Sequence, residues 1–167
     1  NCVLMRGINE EEIWPLIEYA AKREMPLRFI ELMPLSNTDV LNESNFLPIQ
    51  EVMQRIGERD VLLPLENYRP GHGPAHYYQL SALGSRVGFI GAITNPHFCE
   101  SCNKLRLTSD GKLRPCLGRH GEIDLLSTLR QGGDLAGKFQ EGIANKPENH
   151  EFSDCYEPGR PMTAIGG

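Results

Sequence analysis

Three cysteines, and the spacing between them, constrain this chain more than any other feature. Cys99 and Cys102 are separated by two residues, and Cys116 follows after thirteen more. A two-residue spacing allows two thiolates to turn onto one metal centre. Between the second and third cysteines, residues 109–111 (Ser-Asp-Gly) have the composition of a hairpin turn. We therefore expect a β-hairpin after Cys102 that returns the chain with a third soft ligand.

The same hairpin concentrates positive charge in a chain whose net charge is −5. Residues 104–120 hold one acid, Asp110, and five cations: Lys104, Arg106, Lys112, Arg114 and Arg119. An anionic substrate that docks against an open metal site would need such cations. The other interpretation is an ordinary solvated strand face. The residues alone leave both interpretations open.

The residue types allow three kinds of cysteine site. Structural zinc takes four protein ligands, and His97 or His120 could supply the fourth. An iron–sulfur cluster can instead be held by three thiolates, with one iron open to a small ligand. The third kind is a set of unligated thiols. Of the other cysteines, Cys2 lies in an apolar strand pattern typical of a core, and Cys155 lies in a polar tail.

Composition narrows the class of protein. A chain of 167 residues, 40% hydrophobic and 23% charged, is typical of a globular protein with one sizeable core or a core plus a small appendage. No apolar run approaches the ~20 residues of a membrane span, and no signal peptide is visible. The acidic balance argues against nucleic-acid binding. An odd number of cysteines, three of them clustered, argues against a disulfide framework and indicates a reducing compartment, so we predict a cytoplasmic protein.

Hydrophobic periodicity predicts an α/β fold. A strand at residues 1–5, a helix and a strand at residues 27–33 have the length of one βαβ unit, which indicates a parallel sheet. Asn9 and Glu12 have the spacing of a capping box at the start of that helix. The later predicted elements are a loop at 34–45, a helix at 48–56, strands at 61–65, 77–80 and 87–93, hairpin strands at 104–108 and 112–116, and helices at 123–129 and 135–144, the last capped by Asp134.

The cysteine stretch carries a resemblance to a known family. FCESCNKLRLTSDGKLRPCL, residues 98–117, resembles the C-terminal cluster motif of the molybdenum cofactor biosynthesis protein A family, the GTP 3′,8-cyclases. NCVLMRGINEEEI, residues 1–13, resembles a late barrel strand of that family with the turn into its helix, and LRFIELMP, residues 27–34, resembles the next strand. Residues 165–167, Ile-Gly-Gly, resemble its terminal double glycine. The resemblance covers nearly the whole chain.

The resemblance implies a radical S-adenosylmethionine (SAM) enzyme with two [4Fe–4S] clusters. In that family an N-terminal Cys-x-x-x-Cys-x-x-Cys motif holds the first cluster, which cleaves SAM, and the 5′-deoxyadenosyl radical takes a hydrogen from the ribose of GTP. The second cluster binds guanine through an open iron. The product, (8S)-3′,8-cyclo-7,8-dihydroguanosine 5′-triphosphate, leads to cyclic pyranopterin monophosphate and then to the molybdenum cofactor (molybdopterin).

The resemblance also implies roles for residues of the cysteine stretch. Cys99, Cys102 and Cys116 would ligate the second cluster and leave one iron without a protein ligand. Lys104 and Arg106 match the family's two basic residues after the second cysteine and would stabilise the polyanionic substrate. Arginine is the commoner residue at the position of Lys104, and lysine keeps the charge but loses the bidentate geometry.

Two further assignments lie far from the cysteines in the sequence. Arg28 matches an arginine at the mouth of the family's active site, where it would meet the triphosphate or the carboxylate of SAM. The alternative for Arg28 is a salt bridge at the barrel rim, for which Glu31 is a candidate partner. Gly166 and Gly167 match a tail that reaches into the active site, where glycine allows close backbone approach. The alternative for these two residues is a frayed terminus.

The chain departs from the family in one large respect. Its sequence contains no Cys-x-x-x-Cys-x-x-Cys motif and begins as a strand without a methionine. We therefore expect the later part of a longer protein, unable by itself to cleave SAM. The competing hypothesis is a non-catalytic zinc-binding module whose basic hairpin binds an anionic partner.

The expected fold is α/β in three segments. Residues 1–35 would form the last βα units of a partial (β/α) radical-SAM barrel. Residues 36–147 would form a region of short antiparallel strands and two helices that binds the cluster and GTP, and residues 148–167 a tail. A barrel divided in this way exposes strand edges. The expected partners are therefore the missing N-terminal barrel half or a second copy in a homodimer, besides GTP and, in the pathway, the cyclic pyranopterin monophosphate synthase. No nucleic acid or membrane is expected.

Overall fold

The structure is a computed structural model that describes residues 1–35, 43–100, 102–152 and 156–165. These residues fall into two compact units. The first contains residues 1–33 and 43–100, and the second contains residues 34–35, 102–152 and 156–165. Most of the predicted loop at 34–45, Cys155, Gly166 and Gly167 lie outside the described residues. The division into segments 1–35, 36–147 and 148–167 stays a prediction.

The first unit is built on a mixed five-stranded sheet in the order β1-β2-β5-β4-β3. Its elements are β1 (Cys2–Leu4), α1 (Ile13–Ala21), β2 (Leu27–Glu31), α2 (Ile49–Gly57), β3 (Leu62–Pro64), β4 (His76–Leu80) and β5 (Arg86–Ile90). Strand β2 is parallel to β1 and to β5, whereas β4 is antiparallel to both β5 and β3. The α/β class and the parallel pairing across the first βαβ unit are therefore confirmed.

Helix α2 shows how the core of the first unit follows from the sequence. Ile49, Val52 and Ile56 recur at the three- and four-residue spacing of one helix face, and all three are buried. They pack in the same apolar cluster as Phe29 and Phe89, which lie on neighbouring parallel strands. Burying each such side chain contributes about 1.5–3 kcal/mol, so this cluster holds the helix on the sheet.

The capping box predicted at Asn9 is wrong. The Asn9 side chain turns back toward the preceding strand, where it accepts a hydrogen bond from Met5 N at 2.7 Å and donates one to Val3 O at 2.9 Å. Residues 10–12 form a separate 3₁₀ turn before α1. Asparagine competes in this way for backbone groups outside a helix because its side chain is short and carries both a donor and an acceptor.

The second unit contains a three-stranded antiparallel sheet in the order β6-β7-β8. Its elements are β6 (Arg106–Leu107), β7 (Lys112–Arg114), β8 (Ile123–Asp124), α3 (Leu125–Arg130) and α4 (Leu135–Ala144). The predicted hairpin is confirmed, and Gly111 in its turn has a φ of 77°, a conformation that favours glycine. Across the described ranges, no helix is long and apolar enough to cross a membrane.

The helix predicted from residue 123 begins two residues later. Ile123 pairs with Leu113 of β7, so the chain first extends the sheet. Asp124 then caps α3, because its carboxylate accepts a hydrogen bond from Ser127 N at 2.9 Å. The cap predicted for the last helix is confirmed, since Asp134 accepts from Gly137 N at 2.9 Å.

Candidate functional site

A buried carboxylate organises the segment that leads to Cys99. Glu31 ends β2 and is fully buried. It accepts hydrogen bonds from Ile93 N at 2.8 Å, from Thr94 N at 3.0 Å and from the Thr94 hydroxyl. It also accepts from Ile49 N at 2.9 Å, at the first residue of α2. A buried charge needs such partners, and Glu31 thereby fixes the backbone a few residues before the first cysteine.

The segment around Cys99 contains His97, one of the two candidate zinc ligands. Cys99 is a half-buried thiol in the first unit. His97 Nδ1 lies 2.7 Å from the carboxylate of Glu100, and both side chains are about 70% exposed. Asn95 orients this turn, because its side-chain oxygen accepts from His97 N at 3.0 Å.

The alternative salt bridge between Arg28 and Glu31 is wrong. The two residues are three apart on one strand, and side chains alternate between faces along a strand, so they lie on opposite faces of the sheet. Glu31 faces the buried core. Arg28 is half-buried on the other face, where its Nε donates a hydrogen bond to the hydroxyl of Tyr77 at 2.6 Å.

Gly88 makes room for this contact. In the sheet register it is paired with Arg28 on β2 and with Tyr77 on β4, so the three residues form one row across three strands. A Cβ at Gly88 would lie 2.8 Å from the Tyr77 ring. The ring of Tyr68 packs edge-on against Tyr77, with centroids 5.1 Å apart, and the guanidinium of Arg86 lies 4.7 Å from the Tyr68 ring centre. This face therefore combines arginine side chains with aromatic rings.

Arg114 is not part of a solvent-facing basic surface. It is 2% exposed, although the sequence placed it among the five cations of the hairpin. Its guanidinium donates to Cys116 O at 3.2 Å and to the Tyr156 hydroxyl at 2.7 Å, and it lies 3.4 Å from the Glu122 carboxylate. Arg114 therefore holds the backbone at the third cysteine from inside the second unit.

Two other hairpin cations are paired with acids of the second unit. Lys112 Nζ lies 3.7 Å from the carboxylate of Glu122. Arg119 forms an ion pair with Glu151 and donates to Asn149 O at 3.0 Å. The excess of positive charge counted over residues 104–120 is therefore partly neutralised by acids from outside that stretch.

The two cations that the resemblance singled out have different surroundings. Lys104 is exposed, whereas Arg106 is half-buried on β6 and is paired in register with Arg114 on β7. Of the five cations, Lys104 thus offers its charge most directly to a ligand in solution.

The last described residues fold back onto the hairpin turn. Arg160 donates two hydrogen bonds to the carboxylate of Asp110, each at 2.9 Å, and a third to Glu122 at 2.9 Å. Ser109 N donates to Ala164 O at 3.1 Å. Hydrogen bonds from Arg160, and then from a neighbouring threonine hydroxyl, hold the pKa of the Asp110 carboxyl well below its usual range. The backbone just before the double glycine is therefore anchored at the hairpin.

Lys146 is a residue near the cysteines that sequence reasoning missed. Its ammonium donates hydrogen bonds to Lys104 O at 2.7 Å and to Pro115 O at 2.8 Å, and it lies 3.7 Å from the sulfur of Cys102. Cys102 and Cys116 are both half-buried thiols in the second unit. Lys146 therefore connects the backbone segments that carry these two cysteines.

The donor chemistry suits an iron–sulfur cluster or another thiophilic metal. Three half-buried cysteines supply soft sulfur ligands, and the Lys146 ammonium lies 3.7 Å from the sulfur of Cys102. Within the described ranges, no three histidine, cysteine, aspartate or glutamate side chains are grouped closely enough to hold a metal ion. His120, the other candidate zinc ligand, is exposed and stacks on the ring of Tyr156 with centroids 5.1 Å apart.

Comparison with known proteins identifies the family to which the chain is similar. The profile of the family described as Molybdenum Cofactor Synthesis C matches residues 25–152, which include all three clustered cysteines. The chain belongs to this family. The resemblance predicted from the cysteine motif is thereby confirmed.

Individual relatives of the chain show how far the similarity extends. The GTP 3′,8-cyclases of Pelotomaculum thermopropionicum and Desulforamulus reducens are 39% and 38% identical over 170 residues, covering 100% of this chain and 52% of each relative. The GTP 3′,8-cyclase of Rhizobium meliloti is 39% identical over 167 residues, covering 98% of this chain and 47% of that protein. The chain thus spans about half the length of the curated relatives it matches.

Proposed function

We propose that this chain provides the guanine-nucleotide-binding half of a GTP 3′,8-cyclase. The complete enzyme would convert GTP to (8S)-3′,8-cyclo-7,8-dihydroguanosine 5′-triphosphate in molybdenum cofactor biosynthesis. The observation that carries this proposal is the Cys-x-x-Cys…Cys motif at residues 99–116, inside a chain 39% identical to cyclases along its whole length.

The proposed metal ligands are Cys99, Cys102 and Cys116. When bound, a [4Fe–4S] cluster with three thiolate ligands would supply one iron with an open coordination position for the guanine base. The chain's own contribution is to orient the thiols. Glu31 fixes the backbone before the first cysteine, and Arg114 holds the carbonyl of the third.

The proposed polyphosphate ligands are Lys104, Arg106 and Arg28. Lys104 is exposed and acts as a point charge, whereas Arg106 is half-buried, so less of its conformational freedom is lost on binding. The hydroxyl of Tyr77 orients Arg28 from its Nε. Arg28 binds either the triphosphate of GTP or the carboxylate of SAM. Gly166 and Gly167 would reach the substrate from the anchor formed by Arg160.

The SAM-cleaving chemistry and its [4Fe–4S] cluster belong to a part of the enzyme that lacks a counterpart in these 167 residues, because the sequence has no Cys-x-x-x-Cys-x-x-Cys motif. Strand β1 supports the proposal of a missing barrel half. Among the described strands it pairs with β2 alone, so its outer edge can accept further strands of a partial barrel. A second copy in a homodimer and the cyclic pyranopterin monophosphate synthase are the other proposed partners.

The first experiment is anaerobic reconstitution of the chain with iron and sulfide. We expect a brown protein with the broad visible absorbance of an iron–sulfur cluster and about four irons per chain. Replacing Cys102 with Ala should remove the iron, whereas replacing Cys2, which lies in β1, should not. A colourless product that binds stoichiometric zinc would instead identify the zinc-binding module.

The second experiment separates the substrate contacts from the metal site. Arg106→Ala should weaken GTP binding to the reconstituted chain about tenfold or more, as measured by calorimetry, with unchanged iron content. Arg130→Ala, at the exposed end of α3, is the control cation. If Arg106→Ala bound GTP as tightly as wild type, the role assigned to the hairpin would be wrong.

A third experiment tests SAM cleavage. The chain, incubated with SAM and a reductant, should form no 5′-deoxyadenosine.

A further inference from the structure

Lys146 occupies a short connection between α4 and the segment that follows. Helix α4 ends at Ala144, and the backbone N–H of Lys146 donates to Ile143 O at 3.2 Å. Pro147 comes next and prevents the helix from continuing. The position of the lysine backbone is therefore set by the end of a helix, and its side chain is half-buried.

The Lys146 ammonium has three acceptors for its three N–H donors. Two of them are the carbonyl oxygens of Lys104 and Pro115, at 2.7 and 2.8 Å. The third is the sulfur of Cys102, at 3.7 Å. The first carbonyl lies two residues after Cys102, and the second lies one residue before Cys116. A single cation thus ties together the two backbone segments that carry these cysteines.

These contacts differ from those of an ordinary helix-terminal lysine. A lysine at the end of a helix usually interacts with the last carbonyls of its own helix or extends into water. The two carbonyl acceptors of Lys146 lie 42 and 31 residues away along the chain, outside α4. Lys138, which lies within α4, has the contacts of an ordinary surface lysine, since its ammonium pairs with Glu141 at 2.7 Å and its side chain is 42% exposed.

We infer that Lys146 is a positioning residue that holds Cys102 and Cys116 as ligands of one shared metal centre. Hydrogen bonds from a cation are stronger than neutral ones, so the two segments are held more firmly than by a neutral donor. The positive charge beside Cys102 also offsets part of the negative charge that thiolates bring to a metal. The inference rests on the proposed function only in that these two cysteines bind a metal.

The test compares Lys146→Met, which removes the charge at similar length, with Lys146→Arg and the control Lys138→Met. Each chain is reconstituted anaerobically, and the rate of iron release to a ferrous chelator is measured. Each metal-free chain is also titrated with Co²⁺, whose sulfur charge-transfer absorbance reports thiolate ligation, and its thermal unfolding is recorded. We expect Lys146→Met to release iron about 10–100-fold faster than wild type, or to bind Co²⁺ about 10–100-fold more weakly. Lys146→Arg should be intermediate, and Lys138→Met unchanged.

The outcomes separate the inference from the proposed function. If wild type binds the cluster and Lys146→Met releases iron at the wild-type rate, even with a lower Tm, the inference is overturned and the proposed function stands. If wild type binds Co²⁺ but no cluster, and Lys146→Met binds Co²⁺ more weakly, the inference stands and the proposed cluster fails. A wild-type chain that binds neither overturns both. If Lys146→Met does not fold, iron release and Co²⁺ binding are compared between Lys146→Arg and wild type. Equal values would then overturn the inference.

Discussion

The Nε of Arg28 donates a hydrogen bond to the hydroxyl of Tyr77 across 2.6 Å. The two side chains meet on one face of the sheet because the strand between them carries Gly88 in the same row. The arrangement fixes the orientation of the guanidinium through its inner nitrogen. The position of Arg28 therefore depends on Tyr77 and Gly88, neither of which needs to contact a ligand.

Replacing Tyr77 with Phe should release Arg28 while keeping the ring. A lost hydrogen bond to a charged group costs about 1.5–3 kcal/mol, and partial exposure of Arg28 makes the lower end more appropriate. Urea unfolding measures this change, with Tyr78→Phe as the control because its ring packs instead against Phe89.

The same variant separates the two roles proposed for Arg28. If Arg28 binds the triphosphate, GTP should bind more weakly to both Tyr77→Phe and Arg28→Ala in calorimetry. Unchanged GTP affinity in both variants would exclude the triphosphate and leave the SAM carboxylate.

Replacing Gly88 with Ala should displace the Tyr77 ring. The new methyl group would lie 2.8 Å from a ring carbon, closer than any real contact of this kind. Overpacking of this size costs about 1–3 kcal/mol. Gly73→Ala is the matched control, since a Cβ there meets nothing within 4 Å. Equal unfolding free energies for the two variants would show that the ring moves freely.

Replacing Glu31 with Gln should destabilise the first unit by about 2–4 kcal/mol. A carboxamide has one accepting oxygen, and its NH₂ group would face backbone N–H donors such as those of Ile93 and Thr94. The measurement is urea unfolding followed by circular dichroism. Glu18→Gln, on the exposed face of α1, should change the free energy of unfolding by less than about 0.5 kcal/mol.

Acid should loosen the anchor of the C-terminal segment. The folded state lowers the pKa of Asp110, so ionised Asp110 stabilises the Arg160 contact above its unfolded pKa of about 3.9, and this stabilisation is lost as the pH falls toward the lowered value. Heteronuclear NOE values for Thr163 and Ala164 should therefore be unchanged between pH 7 and 5 and fall below about pH 3. Asp110→Asn should lower them already at pH 7, whereas Asp134→Asn should not.

Local signals in the sequence predicted much of the backbone. Helix α2 was predictable because its apolar residues recur on one helix face, and the hairpin because Gly111 supplies the turn with a positive φ. Asp134 was predictable as a cap because its side chain acts within three residues. These features depend on neighbours along the chain, which a sequence displays directly.

The interactions that shape the candidate site depend on distant residues. The burial of Arg114 against Tyr156 could not be predicted, because that partner is 42 residues away along the chain. The same holds for Lys146, whose two carbonyl acceptors are 42 and 31 residues away along the chain. The burial of Glu31 was predictable, because alternation along the strand places this acid on the same face as Leu27 and Phe29. Charge counted along residues 104–120 could not reveal the acids that neutralise part of it.

Glu31 also has a consequence for the order of folding. Its donors are 18, 62 and 63 residues away along the chain, so its carboxylate can lose its water only after long loops have closed. We expect a φ-value near zero for Glu31→Gln, with the effect falling on the unfolding rate. The sheet would then form before the backbone ahead of Cys99 is fixed, so this cysteine would reach its native position only after the sheet is complete.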